Sequence, residues 1–284
     1  MATNNGLVLV HGAWHNHRTW DHVVERLEAA GLTAKAIDLP GAGAHAAAPA
    51  SFAQRPLDPA AFGSEPSPNA SVTQEERTQA VIDAVRDVNA QTGGKAVIVG
   101  HSLGGLTISP VAEAIPEEIS AAVYLCAFML PPGMVAGQMI GHELMADSKV
   151  AGLFMADPEK VGALRIDVQS DDPDYRAKIK QAFCGDLTDA QFEGALAHLH
   201  PDEPAQVAGV PSSISIAKFS TVERHYIECT EDRAITLAGQ REMVRLVDTA
   251  MPNKTIVHTM ATSHSPFFSA PDVLAEMLGE IAGA

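Results

Sequence analysis

Gly100-His101-Ser102-Leu103-Gly104 matches G-x-S-x-G, the spacing that lifts a serine hydroxyl out of a sharp turn between a strand and a helix. With Gly and Ser each near ~7% of an average chain, a sequence of this length meets the pattern by chance roughly one time in ten, so its context must carry the reading. That context agrees: a continuous apolar run over 96–99 precedes the motif, and a helical run from Leu103 to Ala114 follows it. Such a turn forces strained backbone angles and brings helix and strand close together, so Gly100 and Gly104 remove side chains that would collide. Pro110, inside the helical run, should kink it or leave one carbonyl unpaired.

A serine hydroxyl is a weak nucleophile until a neighbouring base takes its proton. A nucleophile on this kind of turn is followed in the chain by its acid and then by its histidine. Of the twelve histidines, only His258 and His264 follow the start of the last expected strand, and His258 lies within it. His264, in Thr262-Ser263-His264-Ser265-Pro266, falls in the loop beyond and is the candidate base. The orienting acid should end the preceding strand, in Cys229-Thr230-Glu231-Asp232-Arg233. Asp232 is the first candidate, with Glu231 and Glu228 as alternatives. An acid there would fix the imidazole tautomer and stabilise the imidazolium as it forms. The developing oxyanion needs backbone donors. Leu103, directly after the serine, supplies one, and Ala13, in Val10-His11-Gly12-Ala13-Trp14 after the first strand, supplies the other. Gly12 lets that backbone approach the serine, while His11 reads as a packing or hydrogen-bonding residue.

Other chemistries find no support. Gly41-Ala42-Gly43 lacks the third glycine of a dinucleotide fingerprint, and Gly94-Lys95 lacks the upstream glycine of a phosphate loop. The pairs His15/His17 and His198/His200 show no third ligand, so no metal and no cofactor are expected. Met129, Met134, Met139, Met145 and Met155 cluster after the fourth strand. Flexible thioethers suit an adaptable apolar pocket as well as a helical core, and Met129 and Met134, with Gly12 and Trp14, are the candidate pocket residues.

The elements that must position these groups are legible in the periodicity. Apolar runs at 7–10, 34–39, 96–99 and 121–127 alternate with amphipathic stretches, the pattern of βα units feeding a parallel sheet. Trp20, Val23, Val24, Leu27 and Ala30 share one helical face, with Thr19 placed to cap that helix and Gly31 to end it. Thr73-Gln74-Glu75-Glu76 forms a capping box opening a second helix, closed by Gly93-Gly94. After about residue 220 the order resumes with strands at 224–229 and 255–259 and helices at 237–248 and 271–281. Two stretches break the rhythm. Residues 41–72 make a connection of ~30 residues where ~2 to 6 would serve, and loops that long tend to fold over something. Residues 131–220 show helical patterns without a strong strand run and read as an inserted helical cap. The expected architecture is a doubly wound, mostly parallel sheet of about six strands, its core formed by 1–130 and 221–284 and its cap by 131–220.

Composition bounds the partners. The 284 residues carry 19 Lys+Arg against 35 Asp+Glu, a net charge of −16, which works against nucleic acid and anionic membranes. A hydrophobic fraction of 46% supports a sizeable core, and no stretch approaches the ~20 apolar residues of a membrane span. Met1 to Asn5 runs into Leu7 without a signal-peptide pattern, and three scattered cysteines suggest reduced thiols. A cytoplasmic location is therefore expected.

The same residues resemble the α/β-hydrolases, and more narrowly the plant methylesterase and hydroxynitrile lyase group with its bacterial carboxylesterase relatives. Val10-His11-Gly12-Ala13, Gly100-His101-Ser102-Leu103-Gly104-Gly105, Cys229-Thr230-Glu231-Asp232 and Ser263-His264 stand where that group carries its oxyanion loop, elbow, acid and base. The resemblance favours Asp232 over Glu231 and implies an α/β-hydrolase fold. It also separates the branches: lyases of the group carry a threonine and a lysine where this chain has Gly12 and Ser265. Dehalogenases and epoxide hydrolases require an aspartate at Ser102. The expected activity is a serine carboxylesterase acting on small neutral or apolar esters through an acyl-enzyme. The alternatives are a lyase-like or C–C cleaving enzyme and a low-turnover ligand-binding protein. Beyond the small-molecule ester, a second copy of the chain, in a homodimer, is the expected partner.

Overall fold

The computed structural model describes residues 5–283. Eight strands and twelve α-helices follow in chain order. The first half holds β1 (Leu7–Val10), α1 (Asp21–Ala29), β2 (Ala34–Ile37), α2 (Pro59–Ser64), α3 (Gln74–Thr92), β3 (Ala96–His101), α4 (Gly105–Ala114) and β4 (Ile119–Leu125). The middle holds α5 (Ala136–Ile140), α6 (Pro158–Val161), β5 (Ala163–Arg165), α7 (Pro173–Phe183), α8 (Asp189–Leu196), β6 (Asp202–Pro204) and α9 (Gln206–Gly209). The chain closes with β7 (Glu223–Cys229), α10 (Leu237–Ala250), β8 (Ile256–Met260), α11 (Pro266–Ser269) and α12 (Pro271–Ala282).

Six strands form one sheet in the order β2-β1-β3-β4-β7-β8, with every neighbouring pair parallel. Successive side chains of a strand point to opposite faces, and the core divides accordingly. Val8 and Val10 meet Val81 and Val85 of α3, Ile108 of α4 and Val247 of α10 in one apolar cluster. Leu7 and Leu9 share the opposite cluster with Val23 and Leu27 of α1 and Leu274 and Leu278 of α12. A sheet covered on both faces needs strands that are apolar throughout, which is why β1, β3 and β4 read as continuous hydrophobic runs. The expected capping box is present, with Thr73 Oγ1 accepting from Glu76 N–H and the Glu76 carboxylate accepting from Thr73 N–H. Gly93 ends that helix at φ 69°. Helix α4 runs through Pro110 without interruption.

The first helix starts later than Thr19 suggests. A 3₁₀ turn over His17–Trp20 precedes α1 and is capped by Asn16, whose side chain accepts from Arg18 N–H at 3.0 Å, while Thr19 is buried.

Residues 131–220 lie between β4 and β7, at the edge of the sheet where the strands end. They are not purely helical, because β5 and β6 pair antiparallel. Strand β6 reads Asp202-Glu203-Pro204, and its two acids are buried against arginines. Arg165 of β5 forms a two-pronged pair with Asp202 at 2.7 Å for both bonds, and donates to the carbonyls of Phe62 and Glu65. The long 41–72 connection therefore folds onto this segment. Phe52 and Phe62 stack with ring centres 5.7 Å apart inside the cap's apolar cluster, and Arg55 pairs with Asp167 at 2.8 Å. The roof over the strand ends is thus built from two stretches of chain. Among the described residues no helix is long and apolar enough to cross a membrane.

Candidate active site

The parallel strands deliver Ser102, Asp232, His264 and the loop that holds Gly12 and Ala13 to the same edge of the sheet, where open α/β sheets gather their ligands. Strand β3 ends at His101, and Ser102 directly after it sits at φ 52° in the left-handed region, an unusual place for a residue with a side chain. The elbow is tight because its neighbours are glycines. A Cβ on Gly104 would lie 2.6 Å from the His11 carbonyl oxygen, one on Gly105 2.2 Å from that of Phe128, and one on Gly100 3.0 Å from the Gly104 backbone.

Beyond β8, His264 is almost fully buried, and its ring bridges the other two groups. Its Nδ1 lies 2.7 Å from Asp232 Oδ2, and its Nε2 lies 2.9 Å from Ser102 Oγ. A carboxylate can only accept, so Nδ1 carries the proton and Nε2 is left to accept from the serine hydroxyl. Asp232 is itself fixed. Its Oδ1 accepts from the Ala234 and Ile235 amides at 2.7 and 2.9 Å, and its Oδ2 accepts from Gln240 Nε2 at 3.2 Å. Gln240, fully buried on α10, also donates to the Ile235 carbonyl and accepts from Cys229 N–H. The acid thus sits in a ring of donors that fixes its orientation. Glu231 is exposed, and Glu228 pairs with Arg241 at 2.8 Å.

The loop after β1 approaches the serine at Gly12, where a Cβ would stand 2.7 Å from Ser102 Cβ. Its carbonyls are held by histidines: His11 Nδ1 donates to Gly12 O at 2.8 Å, His15 Nδ1 to Ala13 O at 2.7 Å and His200 Nε2 to His15 O at 2.9 Å. His101 donates from Nε2 to the His264 carbonyl at 2.8 Å. Of the histidine pairs considered for metal, His15 and His17 part, since His17 turns to Asp38 while His15 stays in the loop. Burial holds these imidazoles neutral. It lowers His11 and His15 to about 3, and His101 well below its ordinary 6.5.

A stability prediction follows from those three residues. Their folded-state pKa lies below the unfolded value, so below pH 6.5 the unfolded chain binds more protons and stability falls as pH falls. Three such groups contribute a slope of about 4 kcal/mol per pH unit once the pH is well under 6.5. Chemical unfolding measured from pH 7 to 4.5 should show this steep loss, and a flat profile would contradict it.

The serine opens into a cavity of about 540 Å³. Ala13, Trp14, Leu103, Phe128, Phe154, Phe183 and Ile235 are among the residues of its wall, Met145 is its sulfur-bearing residue, and no charged side chain lines it. Ala13, Leu103 and Trp14 therefore stand where the sequence places them, beside Ser102. Two expected pocket residues do not. Met129 is fully buried in the core on the α3 and α4 face of the sheet, and Met134 packs against the cap's apolar cluster away from the cavity. Gly12 lies behind the serine instead of in the wall. Periodicity alone does not distinguish a methionine that fills a core from one that faces a cavity.

The cap does more than cover this cavity. Lys149 N–H donates to the Arg233 carbonyl at 2.8 Å and Ser148 Oγ to that of Ala234 at 2.8 Å, tying the acid's loop. Asp186 accepts from the Ser263 amide at 3.0 Å and from its hydroxyl, tying the histidine's loop. Trp14 donates from Nε1 to the Leu164 carbonyl at 2.8 Å and accepts from His200 N–H at 2.9 Å. Asp186, His101 and Glu203 escape sequence reading because each meets a partner distant in the chain, and Gln240 because only the fold turns that face of α10 onto Cys229 and Asp232.

Relatives carry similar chains. A pyrethroid hydrolase of Sphingobium wenxiniae is 26% identical over 288 residues, covering 99% of this chain and 89% of that protein. Esterase PIR7B of Oryza sativa subsp. japonica is 28% identical over 290 residues, covering 99% and 97%. Methylesterase 7 of Arabidopsis thaliana is 26% identical, covering 97% and 95%. Among solved structures, a pyrethroid hydrolase superposes with a TM-score of 0.76 at 25% identity, covering 99% of this chain and 98% of that one. Polyneuridine aldehyde esterase superposes with a TM-score of 0.71 at 21% identity, covering 98% and 99%, a likeness of fold. The family model described as "Alpha/beta hydrolase family" matches residues 7–277, taking in the elbow, both flanking loops and the cap between them. By that match, and by the six parallel strands whose ends gather Ser102, Asp232 and His264, the chain belongs to the alpha/beta hydrolase family.

Proposed function

We propose that the protein is a serine carboxylesterase that hydrolyses neutral or apolar carboxylic esters through an acyl-enzyme. The observation that carries this reading is the unbroken relay Ser102 Oγ, His264 Nε2, His264 Nδ1, Asp232 Oδ2, at 2.9 and 2.7 Å, opening on an apolar cavity. Ser102 attacks the ester carbonyl while His264 takes its proton, and the alkoxide of the tetrahedral intermediate is held by the Ala13 and Leu103 amides. His264 then gives the proton to the departing alcohol. Water, deprotonated by the same imidazole, cleaves the acyl-enzyme and returns the serine. Asp232 keeps Nδ1 protonated throughout and balances the imidazolium charge.

The wall of the cavity selects what enters. A charged acyl or alcohol group would leave its water shell for a surface without a counter-charge, which is costly. A cavity of about 540 Å³ has room for substantial groups on both sides of the ester. The relatives named as esterases and as a pyrethroid hydrolase support ester cleavage. Support for hydrolysis over cyanohydrin cleavage comes from Gly12, packed on the serine, and from Ser265, fully buried beside the base. The test is a fluorophosphonate probe with peptide mapping, run beside p-nitrophenyl esters of graded acyl length and mandelonitrile. Labelling at Ser102 and turnover of the uncharged esters are expected. Labelling elsewhere, or cleavage of mandelonitrile alone, would overturn the reading.

A further inference from the structure

We propose that Glu203, on strand β6 of the cap, is a positioning residue for this reaction: with Arg77 it holds the Trp14 peptide, and through it the Ala13 amide, in the orientation that receives the oxyanion. The proposal rests on the esterase reading given above. Trp14 adopts φ 61°, a conformation that a bulky L residue avoids unless its surroundings over-determine it. Here they do. The Trp14 N–H points to Glu203 Oε2 at 3.4 Å, its carbonyl accepts from the His200 amide at 2.9 Å, and its indole N–H donates to the Leu164 carbonyl at 2.8 Å.

Glu203 is fully buried, where a charge is costly unless a partner meets it. Arg77 of α3, also buried, meets it at 2.5 Å and donates from Nε to the Pro40 carbonyl at 3.0 Å. A helix on one face of the sheet and a strand of the cap thus bring opposite charges together at the peptide that follows Ala13. A buried ion pair is a poor source of stability compared with apolar groups of the same volume, so its placement points to geometry. If Trp14 relaxed to negative φ, the peptides before it would rotate relative to those after it. The Ala13 N–H lies one peptide upstream.

The test uses two variants that separate geometry from stability. Arg77→Met with Glu203→Leu removes both charges at similar volume and leaves the Trp14 N–H without its acceptor. Glu203→Gln keeps an oxygen in place. With active sites titrated, kcat for a p-nitrophenyl ester should fall at least tenfold in the double variant while KM stays within threefold. Affinity for a trifluoromethyl ketone, whose adduct carries the oxyanion, should fall by the same factor, and Glu203→Gln should lie between. Turnover per titrated site and ketone affinity both within threefold of wild type would overturn the proposal. Should the double variant not fold, Glu203→Gln decides on the same two readouts: both falling together supports the proposal, and a lower Tm with neither moved overturns it. Glu113→Gln is the control. Its carboxylate receives Ser215 and Phe219 N–H groups away from the site, so it should lower Tm with kcat unchanged. Were wild type itself inactive on every ester, the esterase reading would fail and Trp14 emission in a Trp20→Phe background would read the clamp alone. A spectral shift on Glu203→Gln supports it, and an unchanged spectrum overturns it.

Discussion

Replacing Ser102 by alanine is expected to lower kcat on an apolar ester by about a millionfold, the size of effect found when a serine triad loses its nucleophile. The loss should fall on kcat and leave KM near its wild-type value, because the cavity wall that binds the ester contains fifteen apolar side chains and loses one hydroxyl. Tm should hold or rise. Ser102 sits at φ 52° with its hydroxyl spent on His264, and alanine suffers no worse backbone strain there. Single-turnover mixing is the decisive measurement: no burst of p-nitrophenol should appear. A burst of wild-type amplitude in Ser102→Ala would mean that another group forms the covalent intermediate.

Asp232→Asn is expected to cost about ten-thousandfold in kcat with the fold intact, by way of the imidazole tautomer. The carboxylate uses Oδ1 for the Ala234 and Ile235 amides and Oδ2 for His264 Nδ1. An asparagine must keep its oxygen toward the two amides, since its NH₂ facing them would bring donors together. Its NH₂ then faces His264, which can meet it only by giving up the Nδ1 proton. The proton moves to Nε2, and the nitrogen that should accept from Ser102 becomes a donor. Hydroxide can remove that proton, so activity should recover partly as pH rises, where wild-type activity is level. A variant with wild-type kcat at neutral pH would remove Asp232 from the mechanism. The ring of donors around the acid gives the prediction a second side: Gln240 Nε2 would lose one acceptor, while its bonds to the Ile235 and Cys229 carbonyls persist.

Much of this geometry is readable before folding, for a physical reason. Strands covered on both faces are apolar throughout, and parallel strands end at one edge, so apolar runs at 7–10 and 96–99 locate the loops that follow them. Ser102, Asp232 and His264 stand in such loops. The cap follows no comparable rule. Strand β6 consists of two acids and a proline, which resembles a surface turn until Arg165 and Arg77 arrive from elsewhere in the chain to neutralise it. The same gap explains Met129. Its position after β4 suits either a pocket or a core, and only the packing of residues 214–222 beneath that strand end settles the matter in favour of the core. Thr19 failed as a cap because Asn16, three residues earlier, opens a 3₁₀ turn first.

The ties between the cap and the three catalytic loops constrain how a substrate gets in. A lid that swung away would pull Lys149 from Arg233, Asp186 from Ser263 and Leu164 from Trp14, and so would scatter the groups it uncovers. Gly137 and Ile140 of α5 and Ala208 and Gly209 of α9 also line the cavity, and Ile140 is about half exposed. A Cβ at Gly137 or Gly209 would meet no neighbour within 4 Å, so a side chain added at either position would take up room in the cavity and narrow the range of esters it holds while leaving Ser102, Asp232 and His264 in place.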